Sequence, residues 1–341
     1  MIYIKNNNTD PYFNLASEEY ILKKFNDNVT MLWQNKETVV LGKNQNAYAE
    51  INLDYVAEHN IAVTRRLTGG GCVFHDLGNI NFSFIYNVSV DKRENILNFK
   101  YFTEPIIDAL QNLGVNAEFQ GRNDLLIDGM KFSGNAQCLY KTDDGLGLGN
   151  MTEKILHHGT LLFNADMSHL AGSLNVDEEK IKSKGIKSVK SRVTNVYSHL
   201  PAGNKMQTKE FMQYLEDYII AKNNCDVINF SESDIKEIQE LADNKYKSRE
   251  FLYDSPIKYS FKKKSYFEFG TVEIYFNAEK SKIKDLKICG DFFGEINIGE
   301  LEDYLNGTAH NIDALSGKLA EIDMNLYING ADTEKILKMF I

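Results

Sequence analysis

The sequence predicts an α+β protein, with a large α/β domain on a mixed, largely antiparallel sheet and a second, small α+β domain behind it. Three observations carry this. Strand-like runs follow one another across tight turns, as at 124–127 and 131–139 around Asp128–Gly129, which favours local antiparallel pairing. Runs with helical spacing are interleaved with them. The pattern changes after about residue 254, and 341 residues exceed one ordinary domain of roughly 100–150. We expect the domains at 1–248 and 256–341.

Each element has its local reason. Residues 1–5 alternate as a short strand. Asp10 and Pro11 suit a cap and first turn, and Leu15, Tyr20, Ile21, Leu22 and Phe25 give a helical stripe over 14–26. Residues 29–34 and 37–42 read as strands with a turn at Asn35–Lys36. A helix at 52–58 leads into a strand at 61–65, and 80–88 is a strong strand. Residues 99–113 form a helix closed by Gly114. Strands follow at 115–119, 124–127 and 131–139. Residues 141–155 read as a glycine-rich loop or irregular hairpin, 158–163 as a strand and 166–172 as a short helix. The lysine-rich run 176–195 reads as a basic surface loop with a helical start, or as a flap over a phosphate. Helices at 207–221 and 232–246 close the large domain. The small one holds a hairpin or bent strand at 266–276, a strand at 283–289 turned by GDFFG, and helices at 299–306, 311–319 and 332–340.

Composition excludes several classes. The 43% hydrophobic content, with 20 Phe and 18 Tyr, suffices for a sizeable core. A net charge of −10 opposes bulk nucleic-acid binding. Cys72, Cys138, Cys225 and Cys289 form no CxxC pair, which argues against a disulfide scaffold or zinc knuckle. No segment approaches the roughly 18 apolar residues of a membrane span, and the N-terminus lacks a leader pattern. A cytoplasmic protein is expected, with no membrane and no nucleic-acid partner.

Three segments can carry chemistry. Arg65 and Arg66 precede Gly69, Gly70 and Gly71, then Cys72, Val73, Phe74, His75 and Asp76. Consecutive glycines let a backbone approach an anion and aim N–H groups at it, with guanidinium charge alongside. The run lacks both the GK[ST] ending and the GxGxxG spacing of familiar nucleotide loops. His75 and Asp76 can be a base with its orienter, or a packed histidine and a turn cap. The second segment runs from Gly121 to Gln137. Its hairpin brings Asn123 and Asp124 near Lys131. Strand alternation puts Lys131, Ser133, Asn135 and Gln137 on one polar side, with Phe132, Gly134 and Ala136 on the packed side. Asp124 is a candidate oxygen ligand for a divalent ion. In the third, His157 and His158 point opposite ways on a strand, so at most one, together with Thr160 on the face of His158, sees a cleft; Gly159 lies between His158 and Thr160.

Together, RRLTGGGCVFHDLGN at 65–79, GRNDLLIDGMKFSGNAQ at 121–137 and HHGTLLFNADM at 157–167 resemble the lipoate–protein ligase A family of the biotin/lipoate ligase and octanoyl transferase superfamily. KGIKSVKSRVTN at 184–195 and GDFFG at 290–294 extend the likeness over nearly the full chain. The resemblance implies an enzyme that uses ATP and Mg2+ to convert (R)-lipoate into lipoyl-AMP and pyrophosphate. The lipoyl group would then pass to a lysine of a lipoyl domain of a 2-oxoacid dehydrogenase complex or of the glycine-cleavage H protein. It further implies that Arg66 meets nucleotide phosphate or the adenylate, and that Gly71, Cys72, Val73 and Phe74 line the nucleotide and lipoyl pocket. Gly69 and Gly70 would shape that loop. Lys131 would contact the acyl carboxyl oxygen and the α-phosphate, with Asn123 and Asp124 near nucleotide and metal. His75, Ser133, His158 and Gly159 complete the expected binding set. A transferase that needs no ATP, or a non-catalytic sensor of lipoate or adenylate, are the alternatives.

Overall fold

The computed structural model describes residues 1–88, 98–143, 151–166, 168–174, 193–253 and 260–340. Its centre is an eight-stranded sheet. In spatial order the strands are β11 (Asp226–Asn229), β1 (Ile2–Lys5), β2 (Val29–Trp33), β6 (Asn79–Asn87), β10 (Met151–Leu162), β9 (Met130–Asp143), β8 (Asp124–Ile127) and β7 (Ala117–Gln120). The β11–β1 and β1–β2 pairings are parallel and the others antiparallel. The mixed, largely antiparallel sheet of the sequence reading is therefore observed.

Both faces of this sheet are covered. On one, helix α4 (Phe99–Asn112) and the helix Thr208–Asn223 close a core containing Phe82, Phe84, Phe102, Phe132 and Phe211. On the other lies helix α1 (Pro11–Lys24), capped by Asp10, whose carboxylate accepts from the amides of Tyr12 and Phe13. Nearly all of α1 is buried, Glu18 and Glu19 included. The helix Glu232–Leu241 and the π-helical turn Ala242–Tyr246 cover its outer side, so one apolar stripe does not describe it.

Two smaller sheets complete the chain. Strand β3 (Thr38–Leu41) lies between parallel β4 (Ala62–Arg65) and antiparallel β5 (Val73–His75). The short helices α2 (Ala47–Glu50) and α3 (Leu53–Glu58) follow β3, and α5 (Ser168–Ser173) packs near β5. The small C-terminal domain is an antiparallel sheet of β12 (Phe261–Phe267), β13 (Gly270–Glu279) and β14 (Lys282–Gly290), with helices of 298–305, 312–320, 324–327 and 333–337 around its own core.

Several local expectations are corrected. The strands at 29–34 and 37–42 exist but belong to different sheets, because β3 leaves to pair with β4 and β5. Residues 73–75, to which the sequence reading gave no element, form a strand. The strand expected at 158–163 starts at Met151, and β9 runs on to Asp143, so the described residues of 141–155 pair as strands, which agrees with the hairpin alternative. Strand β11, exposed along much of its length, was not anticipated. The basic segment 176–195 lies outside the described residues up to 192; from Val193 the chain runs beside Lys131, whose carbonyl accepts from Thr194 N at 2.8 Å.

Candidate functional site

The glycine run turns sharply between β4 and β5 against the start of the β3–α2 loop. Gly70 takes a φ of +93°, and a methyl on Gly42 would overlap the Gly70 carbonyl, so both positions require glycine. Arg66 holds the turn from beneath. Its Nε donates to Thr68 Oγ1 at 3.0 Å, and its Nη2 donates to the carbonyls of Gly69 and Gly71 at 2.8 Å each. Burial pulls this guanidinium down to about 10, still protonated at neutral pH. Arg65 is a clamp of a different kind: it donates to the carbonyls of Gly42, Lys43 and Gln45 and to those of Phe251 and Leu252 near the end of the large domain.

Behind the turn runs a buried polar chain. Trp33 Nε1 donates to Ser83 Oγ at 2.8 Å, and Ser83 donates to Glu18 Oε1 at 2.6 Å. Both Glu18 oxygens face His158 Nδ1, at 2.9 and 3.1 Å, and His158 Nε2 meets Thr68 Oγ1 at 2.7 Å. The glycine turn is thereby tied through Thr68 to the central sheet and to α1. Glu18 carried no motif; its only sequence signal was a pair of adjacent acids beside the apolar stripe of α1.

The cavity between these parts encloses about 160 Å3. Leu15, Trp33, Val40 and Val73 supply apolar wall, and Arg66, Gly70, Gly71, Lys131, His158 and Thr160 supply polar wall. Lys131 enters from β9 and pairs with Asp124 Oδ1 at 2.7 Å, both groups more than a third exposed. The small domain also contributes. Phe293 lines the cavity, the Phe292 carbonyl accepts from Gly70 N at 3.3 Å, and Arg122 lies over the Phe293 ring at 4.4 Å.

Of the residues singled out in the sequence, Arg66, Gly70, Gly71, Cys72, Val73, His75, Asn123, Lys131, His158 and Gly159 border this cavity. Gly69, Phe74, Asp124 and Ser133 do not. Gly69 packs against the Phe292 carbonyl. Phe74 has the opposite facing to Val73 and His75 on β5 and stacks on His169. Asp124 stands at the rim with Lys131. Ser133 is buried opposite Leu125, toward the α4 side.

The expected polar side of β9 is corrected. A bulge lets Leu125 face Ser133 while Leu126 faces Lys131, so one extra residue intervenes and the facing flips. Lys131 shares its side with Gly134, whose added methyl would stand 3.0 Å from Nζ, and with Ala136, the partner of His158. Gln137 instead reaches His157 at 3.3 Å on the α4 side. Asn135 and Gly159 still border the cavity.

His157 stacks on Phe102 at 4.8 Å in the core, as the alternation of β10 requires. Asp76 caps the turn, accepting from Gly78 and Asn79, and has no contact with His75 that would make it an orienter; Asn35 fills that place at 3.1 Å. Burial depresses both buried rings, His75 to about 3 and His157 well below its usual value. A ring that protonates at pH 6.5 when unfolded and far lower when folded contributes stability above 6.5, and that stability is lost as the pH falls toward the folded value. Between pH 6.5 and 5, each ring should therefore cost about 1.4 kcal/mol per pH unit, read as a falling urea midpoint. An unchanged midpoint over that range would show the rings are not held neutral.

Burial pushes the Cys72 and Cys138 thiols up to about 12, so neither is a thiolate at neutral pH. Among the described residues no three His, Cys, Asp or Glu side chains converge as a metal site. A lone rim carboxylate, Asp124, fits a magnesium ion held chiefly by phosphate and water, and does not fit zinc. No described helix is long and apolar enough to cross a membrane.

Comparison with known families then decides the relationship. The model of the lipoyl protein ligase A/B catalytic domain matches residues 10–220, more than half of the chain. The chain belongs to the lipoyl protein ligase A/B family. A second model from the same enzymes, the bacterial lipoate protein ligase C-terminus, matches residues 256–340. Lipoate–protein ligase 1 of Staphylococcus aureus is 38% identical over 342 residues, covering 99% of each chain. Among solved structures, LipL1 of P. falciparum in complex with lipoate superposes with a TM-score of 0.76 at 26% identity, over 99% of this chain and 97% of the other. A bipartite ligase of Thermoplasma acidophilum, from a study with its E2 lipoyl domain, gives 0.61 at 25% identity, over 76% of this chain and 98% of the other. The likeness to family members thus includes the small domain, which the catalytic-domain model alone does not reach.

Proposed function

We propose that this protein is an ATP-dependent lipoate–protein ligase of the cytoplasm, with the ligase domain at 1–248 and the accessory domain at 256–341. It activates lipoate as lipoyl-AMP, releasing pyrophosphate, and passes the lipoyl group to the ε-amine of a lysine on a lipoyl domain or glycine-cleavage H protein. One observation carries the reading: Lys131 and the glycine turn held by Arg66 border the same cavity.

The chemistry needs that juxtaposition. A carboxylate and an α-phosphate repel, so their reaction requires cationic and N–H donors that hold both in line. Lys131 is placed to bridge the two anions, then to polarise the acyl carbonyl during transfer. Its ion pair with Asp124 keeps the ammonium at the cavity rim before substrate arrives. Arg66 acts through the turn, since it donates to the carbonyls of Gly69 and Gly71. The apolar wall of Leu15, Trp33, Val40 and Val73 suits an acyl chain. Magnesium, when bound, neutralises phosphate charge, and Asp124 would hold it. The acceptor's neutral amine attacks the mixed anhydride, and AMP leaves. The raised Cys72 and Cys138 thiols disfavour a thiol-based transferase.

Exchange of labelled pyrophosphate into ATP, dependent on lipoate, tests the first half-reaction. A mass gain of one lipoyl group on a lipoyl domain tests the second. Acyl transfer without ATP would replace this reading with the transferase, and binding without either activity would replace it with the sensor.

Gly71 offers a local test. A methyl there meets nothing within 4 Å, so Gly71→Ala should fold and melt as the wild type does. With the nucleotide lying on the turn, its KM for ATP should rise about tenfold, the scale of one lost close donor contact. An unchanged KM removes Gly71 from the nucleotide site.

A further inference from the structure

His75 sits in the cavity wall with Trp33, whose ring meets it edge-on at 6.2 Å. It is only 3% exposed. A chain of amides fixes where its proton lies. Asn14 Nδ2 donates to the backbone carbonyls of Asn8 and Gln34, each at 2.9 Å, and a carbonyl can only accept. Asn35 Oδ1 also stands 2.9 Å from that Nδ2, sharing its two N–H protons with the carbonyls; an NH2 in its place would set two donors against each other, so Asn35 turns its NH2 to His75 Nδ1, at 3.1 Å. Nδ1 therefore accepts, and the neutral ring carries its proton on Nε2. That N–H is buried and has no protein partner among the described residues. Buried donors are nearly always matched, so an orphan in a cavity wall points to a ligand acceptor.

We propose that the His75 Nε2–H donates to a sulfur at the far end of the acyl chain, and so selects a dithiolane-bearing acid over a saturated one of similar length. The inference rests on the ligase reading of this cavity. Ring sulfur carries lone pairs and accepts weakly. A methyl or methylene end offers none and leaves the N–H buried and unmatched. Discrimination thus comes from a penalty on the wrong acid as much as from attraction to the right one. Asn35 is a positioning residue that sets the tautomer.

The test compares three acids in pyrophosphate exchange: lipoate, octanoate and 5-cyclopentylpentanoate, which keeps a five-membered ring without sulfur. Each is measured with the wild type, His75→Phe and His75→Gln. The ratio of kcat/KM between two acids within one protein cancels any loss of folded enzyme. The wild type should favour lipoate over the carbocycle by about tenfold. His75→Phe should bring that ratio near one, and His75→Gln, which restores an N–H, should recover part of it. Equal use of the two acids by the wild type, or an unchanged ratio in His75→Phe, overturns the proposal. Exchange with none of the acids would defeat the ligase reading itself, and this inference with it. Should His75→Phe not fold, the Nε2–H proton resonance of the wild type must move with lipoate and not with octanoate; no movement with lipoate overturns it equally.

Discussion

Lys131→Ala should lower lipoate-dependent pyrophosphate exchange by about 10²–10³-fold, the loss that follows removal of one donor aimed at developing charge. The fold should survive. Among the described residues Lys131 has one ion pair, to Asp124, with side chains 38% and 37% exposed, and a solvent-screened pair of that kind contributes at most about 1 kcal/mol. The melting temperature should therefore stay within about 3 °C of the wild type. Transfer from lipoyl-AMP supplied directly should fall too, because the same ammonium serves both steps. Wild-type exchange in the variant would take Lys131 out of the mechanism. A collapse of the melting transition would instead mark it as structural.

Glu18→Ala should have the largest effect on stability. Glu18 is fully buried and accepts from Ser83, and it faces His158 Nδ1 with both oxygens. Removing it strands two buried groups at roughly 1–3 kcal/mol each, so about 3 kcal/mol in all is expected, or a fall of about 8 °C. Glu18→Gln keeps the volume and one acceptor and should lose less. The effect should also reach the chemistry, since His158 holds Thr68 and Thr68 is the side-chain acceptor of Arg66 Nε. The measurement is thermal melting beside the KM for ATP. A variant as stable as the wild type would mean that the polar chain from Trp33 to Thr68 does not support the glycine turn.

The small domain gives these experiments a structural setting. Its Phe292 carbonyl takes the Gly70 N–H, and Phe293 closes part of the cavity. On the proposed function, nucleotide phosphate would compete with the Phe292 carbonyl for the Gly70 N–H.

How much was legible in the sequence follows from the range of each interaction. Element types came through because strand alternation, helical spacing, the Asp10–Pro11 start and the Asp128–Gly129 turn are local signals. The glycine run and Lys131 came through because their chemistry is unusual for a turn and a strand edge. Which residues share the cavity was decided by pairing. One extra residue opposite β8 turned Ser133 away from Lys131, and β5 set Phe74 outside while Val73 and His75 face in. Glu18 and Asn35 were silent, since each gains its role only when α1 packs against strands far away in sequence. By itself the sequence determined the fold class, the family resemblance and the charged groups available. The tertiary structure alone decided which face each of them occupies and which proton His75 carries, because register and buried hydrogen-bond partners are set by contacts between distant segments.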